Sequence, residues 1–160
     1  MEDAELTVNY IRQNFKRKCL LAVADISKEE NCKSAIQKIL KSFQKVDLLV
    51  NNAGVHYPAA NITQISSEKL METFAVNIFA MFWITTAVLP LMQKGGYIIN
   101  TTSVTAYRGS PELIDYSAIK GAIVSFTRSL STNLIEKGIR VNGVAPGPVW
   151  TPFITANFSP

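Results

Sequence analysis

The chain has 160 residues, of which 48% are hydrophobic and 18% charged, a composition typical of one folded domain and unlike that of a disordered chain. Its 16 Lys and Arg residues and 12 Asp and Glu residues are spread along the sequence, which argues against the concentrated basic face of a nucleic-acid-binding protein. The two cysteines, Cys19 and Cys32, fit neither a disulfide framework nor a zinc-ligand spacing. We therefore expect free thiols, a cytoplasmic location and no metal site.

The first quarter of the chain predicts a helix, a strand and a second helix. Helical spacing of apolar residues covers residues 3–15, and a short apolar run over residues 19–24 predicts a buried strand that ends at Asp25. Ser27 is predicted to cap the next helix, which carries acidic residues in its first turn.

A second buried strand is predicted over residues 46–50, and a long apolar helix follows after Ser66 or Ser67. The segment 74–92 of this helix is close to the roughly 20 residues that a membrane-spanning helix needs. Asn77 inside it, Pro90 at its end and the flanking strands favour instead a helix buried between a sheet and a neighbouring subunit. The sequence therefore predicts no membrane span.

The last third predicts a strand over residues 97–101, a helix over 113–136 and a strand over 139–145. Strands that alternate with helices predict an α/β fold, with a parallel sheet that helices cover on both faces. Ligands in such sheets bind at the carboxyl ends of the strands. We therefore expect functional residues in the turns that follow the predicted strands.

Tyr116 and Lys120 lie four residues apart on the predicted helix, so that both side chains share one face. A phenol has an ordinary pKa near 10, and a neighbouring ammonium stabilises the phenolate and lowers this pKa. Tyr116 is thus a candidate general acid/base, with Ser103 in the preceding loop as a second ligand of the substrate oxygen. A solvated helix face explains the pair equally well when the pair is taken alone.

Two further turns are ambiguous by themselves. The turn Asn51-Asn52-Ala53-Gly54 is either a simple strand end or a place where small residues let a ligand approach while the Asn side chains brace adjacent strands. The segment from Pro146 to Thr151 either stiffens a strand exit or offers a hydroxyl to an amide. His56, the sole histidine, is interpreted as a residue at the pocket rim or surface and not as a catalyst.

Taken in order, these motifs resemble the short-chain dehydrogenase/reductase family over about residues 20–151. The resemblance rests on Asp25 after a strand, the NNAG turn, an Asn inside the next helix, Ser103, the Tyr-x-x-x-Lys pair and the closing Pro-Gly turn. The segments TTSVTAYRGSPELIDYSAIKGAIVSFTRSL and GIRVNGVAPGPVWTP are most similar to bacterial glucose/ribitol dehydrogenase-like and general-stress oxidoreductases.

This resemblance implies a doubly wound, Rossmann-like parallel sheet and hydride transfer between NAD or NADP and an alcohol or carbonyl, such as a sugar, a polyol or a small carbonyl. Tyr116 would exchange the proton, Ser103 would orient the substrate oxygen, and Lys120 would lower the pKa of Tyr116. Asn77 would hold a water that links Lys120 to solvent in a proton relay.

The resemblance also implies a set of cofactor contacts along the chain. Asp25 and Ile26 would lie against the adenine, whereas Asn51, Ala53 and Gly54 would line the adenine-ribose part. Tyr116 and Lys120 would hold the nicotinamide ribose. The nicotinamide itself would contact the last turn, at Pro146, Gly147, Val149 and Thr151.

One part of the family pattern is not found in these residues. The family begins with a strand and a glycine-rich TGxxxGIG turn that binds the pyrophosphate, and no such motif occurs in the sequence. We therefore expect residues 1–160 to be a single, truncated NAD(P)-binding domain that lacks the first two strands and the last. Either the strands at 19–24 and 46–50 pair unusually, or one sheet edge is left unpaired. The 160 residues alone are expected to bind cofactor weakly and to show no turnover.

A function of another class stays open, namely a non-catalytic remnant that acts as a binding or oligomerisation module. The family's long helices, here about 67–92 and 113–136, commonly form interfaces between subunits, so that we expect a homo-oligomer, a tetramer, in the full-length form. The intact set of Asn77, Ser103, Tyr116 and Lys120 favours catalysis.

Overall fold

In the computed structural model, which describes residues 2–151, helices and strands alternate along the chain. The helices are α1 (Glu2–Phe15), α2 (Glu29–Leu40), α3 (Ser67–Phe74), α4 (Ala80–Val88), α5 (Thr105–Arg108) and α6 (Ile114–Leu134). The strands are β1 (Leu48–Asn51), β2 (Tyr97–Thr101) and β3 (Arg140–Val144). The predicted α/β fold class is confirmed.

The three strands form a parallel sheet in the order β1-β2-β3. Leu49 lies opposite Ile98, and Ile98 lies opposite Val141. Because the strands are parallel, the turns that follow them meet at one edge of the sheet. The fold is thus an incomplete Rossmann-like sheet, and this edge carries most of the candidate residues that the sequence singled out.

Helices cover only one face of the sheet within residues 2–151, which corrects the expectation of two covered faces. Ile98 and Val141 pack on that face in a buried cluster with Val88, Met92, Leu134 and Ile139. On the other face, Leu48 and Val50 are both 51% exposed, and Tyr97 and Val144 are also exposed. The reason is the strand order. Right-handed crossovers that always advance in the same direction leave every connecting helix on the same side.

The predicted strand at residues 19–24 is wrong, because residues 16–25 form neither helix nor strand. A strand needs neighbouring backbone to pair with, and the described sheet ends at β1. A side chain satisfies part of the segment's backbone instead, since the guanidinium of Arg12 donates to the carbonyl of Cys19 at 2.7 Å. Val23 is 67% exposed, so that this apolar run is not buried as expected.

The predicted cap at Ser27 is also wrong. The residue before α2 is Lys28, which makes no side-chain cap. Ser27 instead donates from its backbone N–H and its hydroxyl to Oδ1 of Asp25, at 3.0 and 2.6 Å. These hydrogen bonds from Ser27 lower the pKa of the Asp25 carboxyl. By contrast, Ser66 does cap α3, because its hydroxyl accepts from the N–H of Lys69 at 3.2 Å.

The long apolar helix runs from Ser67 to Leu91 and includes a π-helical turn, Ala75–Phe79, between α3 and α4. By length and composition it is the one helix among the described residues that could cross a membrane, a test that core helices also pass. It packs against α2 through α4 and against α6 through α3 and the π turn. These contacts are typical of a helix that packs within a folded domain.

Candidate active site

A cleft of about 700 Å³ opens at the carboxyl edge of the sheet. Backbone hydrogen bonds join the turns after β2 and β3, since the N–H of Val104 donates to the carbonyl of Pro146 at 3.1 Å. The cleft brings together most of the residues that the sequence singled out: Ala53, Gly54, Ser103, Tyr116, Lys120, Pro146, Gly147, Val149 and Thr151.

Lys120 is buried at the floor of this cleft, with only 3% of its surface exposed. Its Nζ donates to the carbonyl oxygen of Thr101 at 2.7 Å and lies 5.2 Å from the centre of the Tyr116 ring. Burial penalises the charged form, so that the pKa of the ammonium falls from 10.5 to about 8. Lys120 therefore titrates close to physiological pH.

The pKa of Tyr116 is shifted opposite to the sequence-based expectation. Burial raises the pKa of the phenol above its ordinary value, and a hydrogen bond with Ser103 opposes this shift only in part. The ammonium of Lys120 lies over the ring and binds the Thr101 carbonyl, and it does not contribute to the shift. The raised pKa favours the neutral phenol, which is the proton-donating form.

His56 forms part of the cleft wall beside Tyr116. Its side chain is only 2% exposed, and its ring lies edge-to-face on the Tyr116 ring with 5.5 Å between the ring centres. His56 thus lines the pocket as a buried wall residue, which corrects the expectation of a residue at the rim or surface. The contact restricts the orientation of the phenol, because aromatic pairs of this geometry are attractive.

Buried amides connect the strands beneath the cleft, as one interpretation of the NNAG turn expected. Nδ2 of Asn51 donates to Oδ1 of Asn100 at 2.9 Å, which joins β1 to β2. Nδ2 of Asn100 then donates to the hydroxyl of Thr127 at 3.0 Å, which joins β2 to α6. A buried polar chain with every member hydrogen-bonded fixes the spacing of these elements. Helix α6, which carries Tyr116, is thereby held against the sheet.

Asn77 lies in the π turn and is fully buried. Its Nδ2 donates to the carbonyls of Val55 and Thr73, both at 2.8 Å, and its Oδ1 accepts from the N–H of Val55 at 3.3 Å. A Cβ at Gly54 would stand 2.5 Å from the same Oδ1, so that the close approach of the turn to Asn77 explains the glycine. Single π turns are frequent at functional sites.

The family is decided by comparison with known proteins. The sequence profile of the short chain dehydrogenase family matches residues 1–159. The chain belongs to this family. It is 53% identical over 156 residues to the uncharacterised oxidoreductase YhdF of Bacillus subtilis, and this match covers 98% of the chain and 54% of YhdF. It is 46% identical over 160 residues to the glucose and ribitol dehydrogenase of Daucus carota, covering 98% of the chain and 55% of that protein.

Solved structures agree with this assignment. A dehydrogenase/reductase from Sinorhizobium meliloti superposes with a TM-score of 0.90 at 30% identity, over 95% of this chain and 60% of that one. A 3-ketoacyl-(acyl-carrier-protein) reductase from Brucella melitensis, complexed with NADH, gives a TM-score of 0.84 at 30% identity, over 94% of this chain and 64% of that one. This short-chain dehydrogenase chain thus spans about half the length of its curated relatives.

Three of the expected cofactor residues do not line the cleft. Asp25 is exposed at the end of the segment that forms no strand, and Ile26 lies in the turn that follows it. Asn51 is buried beneath the turn, where its amide is used in the connection to Asn100. Their predicted contacts with adenine and its ribose therefore stay predictions for this short-chain dehydrogenase.

Sequence analysis missed part of the cleft wall, the segment between Ser103 and Tyr116. The segment contains α5, and five of its residues line the cleft: Val104, Thr105, Arg108, Ser110 and Leu113. The one indication of α5 in the sequence is Gly109, because a glycine often follows the last residue of a helix. Gly109 has a φ of +72° and ends this helix. A helix of four residues is too short for apolar periodicity to reveal.

Proposed function

We propose that this chain carries the catalytic half of an NAD(P)-dependent oxidoreductase that interconverts an alcohol and a carbonyl in a sugar, a polyol or a small carbonyl compound. The observation that carries the proposal is the convergence of Ser103, Tyr116 and Lys120 on one cleft at the carboxyl edge of the sheet. Buried acid/base groups with shifted pKa values in a cleft are typical of catalytic sites.

The residues at the cleft fit the nicotinamide end of NAD or NADP. A Cβ at Gly147 would meet nothing within 4 Å, so that a ring can approach the backbone of this turn. The cleft volume of about 700 Å³ lies within the range of small-molecule sites. The structures of related proteins with NADH, NADPH and NADP support the same cofactor class. When bound, the cofactor supplies or accepts the hydride.

In this proposal the residues of the chain control the proton and the position of the substrate oxygen. Tyr116 donates its proton to the carbonyl oxygen during reduction and accepts it during oxidation, while the Ser103 hydroxyl orients the same oxygen. Lys120, with a pKa of about 8, supplies positive charge beside the phenol when it is protonated. Asn77 would hold the water that connects Lys120 to solvent.

An oligomerisation role has one observation in its favour. Phe82, which is half exposed on α4, packs against Phe126 of α6 with 4.4 Å between the ring centres and 45° between the ring planes, so that the two long helices present a joint aromatic surface. A cytoplasmic homotetramer formed through these helices is compatible with catalysis and belongs to the same proposal. As a function by itself, it leaves the buried acid/base groups unexplained.

Replacement of Tyr116 tests the proposal. We expect the 160-residue chain alone to show no turnover, because the glycine-rich phosphate turn is not among its residues. We expect turnover once the chain replaces the matching region of the carrot glucose and ribitol dehydrogenase. In that chimera, Tyr116→Phe should reduce kcat by about 10²–10⁴-fold, the usual contribution of a general acid/base. The assay follows NAD(P)H absorbance over a panel of sugars, polyols and simple carbonyls.

Tyr107→Phe is the matched control, since Tyr107 is an exposed tyrosine nine positions earlier in the chain that does not line the cleft. The control should retain the turnover of the chimera. Full activity of Tyr116→Phe would refute the catalytic assignment, and NAD(P)H-dependent turnover by the 160-residue chain would refute its predicted inactivity.

A further inference from the structure

The cleft contains one cationic side chain, Arg108, that has no role in the proposed proton transfer. Arg108 lines it from the last residue of α5, so that Arg108 and Lys120 are two cationic side chains in the wall. None of the described residues that line the cleft is Asp or Glu. A cleft lined by one sign of charge concentrates ligands of the opposite sign.

Of the two cations, Arg108 is the one placed to bind a ligand. Lys120 is almost fully buried, and its ammonium already donates to the Thr101 carbonyl. Arg108 is exposed, and the three ion pairs found within residues 2–151 all involve other side chains. The carboxylate of Asp115, a nearby acid in the sequence, accepts from the N–H of Tyr116 at 2.8 Å.

We propose that Arg108 binds an anionic group of the substrate, a phosphate or a carboxylate, and that the enzyme prefers polyols or sugars that carry such a group over their neutral counterparts. A guanidinium presents a planar fork of N–H donors that fits both anions in a bidentate manner. The hydroxyls of Thr105 and Ser110 on the same wall suit the neutral part of a polyol. This inference rests on the proposed function and specifies its substrate class.

Arginine footprinting tests the binding without turnover. Phenylglyoxal modifies accessible arginines, and peptide mass spectrometry reads Arg108 and Arg128 in the same sample. Arg128 is an exposed arginine on α6 outside the cleft, and it serves as the internal control. The probes share one six-carbon backbone: sorbitol is neutral, sorbitol 6-phosphate carries a phosphate, and gluconate carries a carboxylate. The 160-residue chain and the NADP-loaded chimera are both labelled.

We expect sorbitol 6-phosphate or gluconate to protect Arg108 at concentrations about tenfold or more below those that sorbitol requires, the factor expected for one charge-assisted interaction. Arg128 should be labelled equally with every probe. The more effective of the two anions identifies the anionic group. Protection of Arg108 by none of the probes in either protein, or equal protection by inorganic phosphate alone, overturns the proposal.

Kinetics of the chimera give a second readout. Arg108→Gln should lower kcat/KM for the charged substrate by about 10–100-fold through KM, and this loss should be at least tenfold larger than the loss for sorbitol. Arg108→Lys should recover part of the loss, because it keeps the charge and loses the fork. Arg128→Gln makes the same change in net charge and should have no effect.

The two proposals can fail separately. Turnover that depends on Tyr116 but shows no preference for charged substrates overturns the role of Arg108 and leaves the oxidoreductase function intact. Selective protection of Arg108 in a protein without any Tyr116-dependent turnover supports the anion site and removes the catalytic assignment.

Discussion

At the scale of single residues, burial decides the protonation states in the cleft. The i, i+4 spacing of Tyr116 and Lys120 was sufficient to predict that the two side chains lie together, and the ammonium is 5.2 Å from the phenol ring. The sequence could not predict that burial raises the pKa of Tyr116, because burial depends on residues distant in the chain, such as His56. As a result, the neutral form of Tyr116 is favoured, and Lys120, with a pKa of about 8, is the group that titrates near physiological pH.

Lys120 therefore makes stability depend on pH. Its pKa is about 8 in the folded chain and near 10.5 when unfolded, so that between these values the folded state holds fewer protons than the unfolded state. The free energy of unfolding should rise with pH in this window, by up to about 1.4 kcal/mol per pH unit from this group. Below pH 8 both states are protonated, and burial of the charge lowers stability by a constant amount.

The substitution Lys120→Met should flatten this rise. Urea unfolding at several pH values from 7 to 9.5 measures how the free energy of unfolding changes with pH. The control Lys137→Met, at an exposed lysine, should show the same pH dependence as the parent chain. The pH range of the measurement ends below 10, which is the ordinary pKa of a tyrosine. The raised pKa of Tyr116 lowers the free energy of unfolding only above that pH, so that it does not affect the measured slope. An equal slope in the parent and in Lys120→Met would show that the ammonium is not buried in solution.

At the scale of secondary-structure elements, local signals predicted some boundaries well and others poorly. The strand over residues 97–101 was predicted at its observed bounds, and the Ser66 cap was among the two residues named. Both depend on residues near in sequence. The prediction of a strand at residues 19–24 was wrong, because a strand also needs a neighbouring strand to pair with, and a run of apolar residues does not show whether one is present. The π turn around Asn77 could not be predicted, because a single π turn does not change the spacing of apolar residues along the helix enough to be recognised in the sequence.

The end of α6 gives a prediction at this scale. Gly138, just beyond the helix, has a φ of +65°, and a Cβ there would stand 2.7 Å from Cγ of Lys94. Gly138→Ala should lower the free energy of unfolding by about 1–2 kcal/mol, because a side chain is disfavoured in the left-handed region. Chemical denaturation monitored by circular dichroism measures this change.

Gly121→Ala is the matched control inside the same helix. A Cβ at position 121 would meet nothing within 4 Å, so that only the helix propensity changes. This substitution should raise the free energy of unfolding by about 0.5–1 kcal/mol. Two effects of the same sign would contradict the assignment of Gly138 as the residue that ends the helix.

At the scale of the whole molecule, the strand order explains which surfaces are exposed. The sequence predicted the parallel sheet and its carboxyl-edge site, since both follow from alternating strands and helices. The covered faces could not be predicted from alternation alone, because they depend on whether the strand order reverses. In residues 2–151 it does not, and Leu48 and Val50 lie exposed on the uncovered face of the edge strand β1.

An exposed apolar face on an unpaired edge strand should make the described domain self-associate. The double substitution Leu48→Lys and Val50→Lys places charge on this face, and we expect it to lower both light scattering and the fluorescence of the apolar dye ANS. Ile62→Lys, at an exposed apolar residue in the 3₁₀ turn Ile62–Gln64, is the control and should change neither signal. Equal scattering by the double variant and the parent chain would mean that association proceeds through another surface, of which the aromatic surface of Phe82 and Phe126 is the next to test.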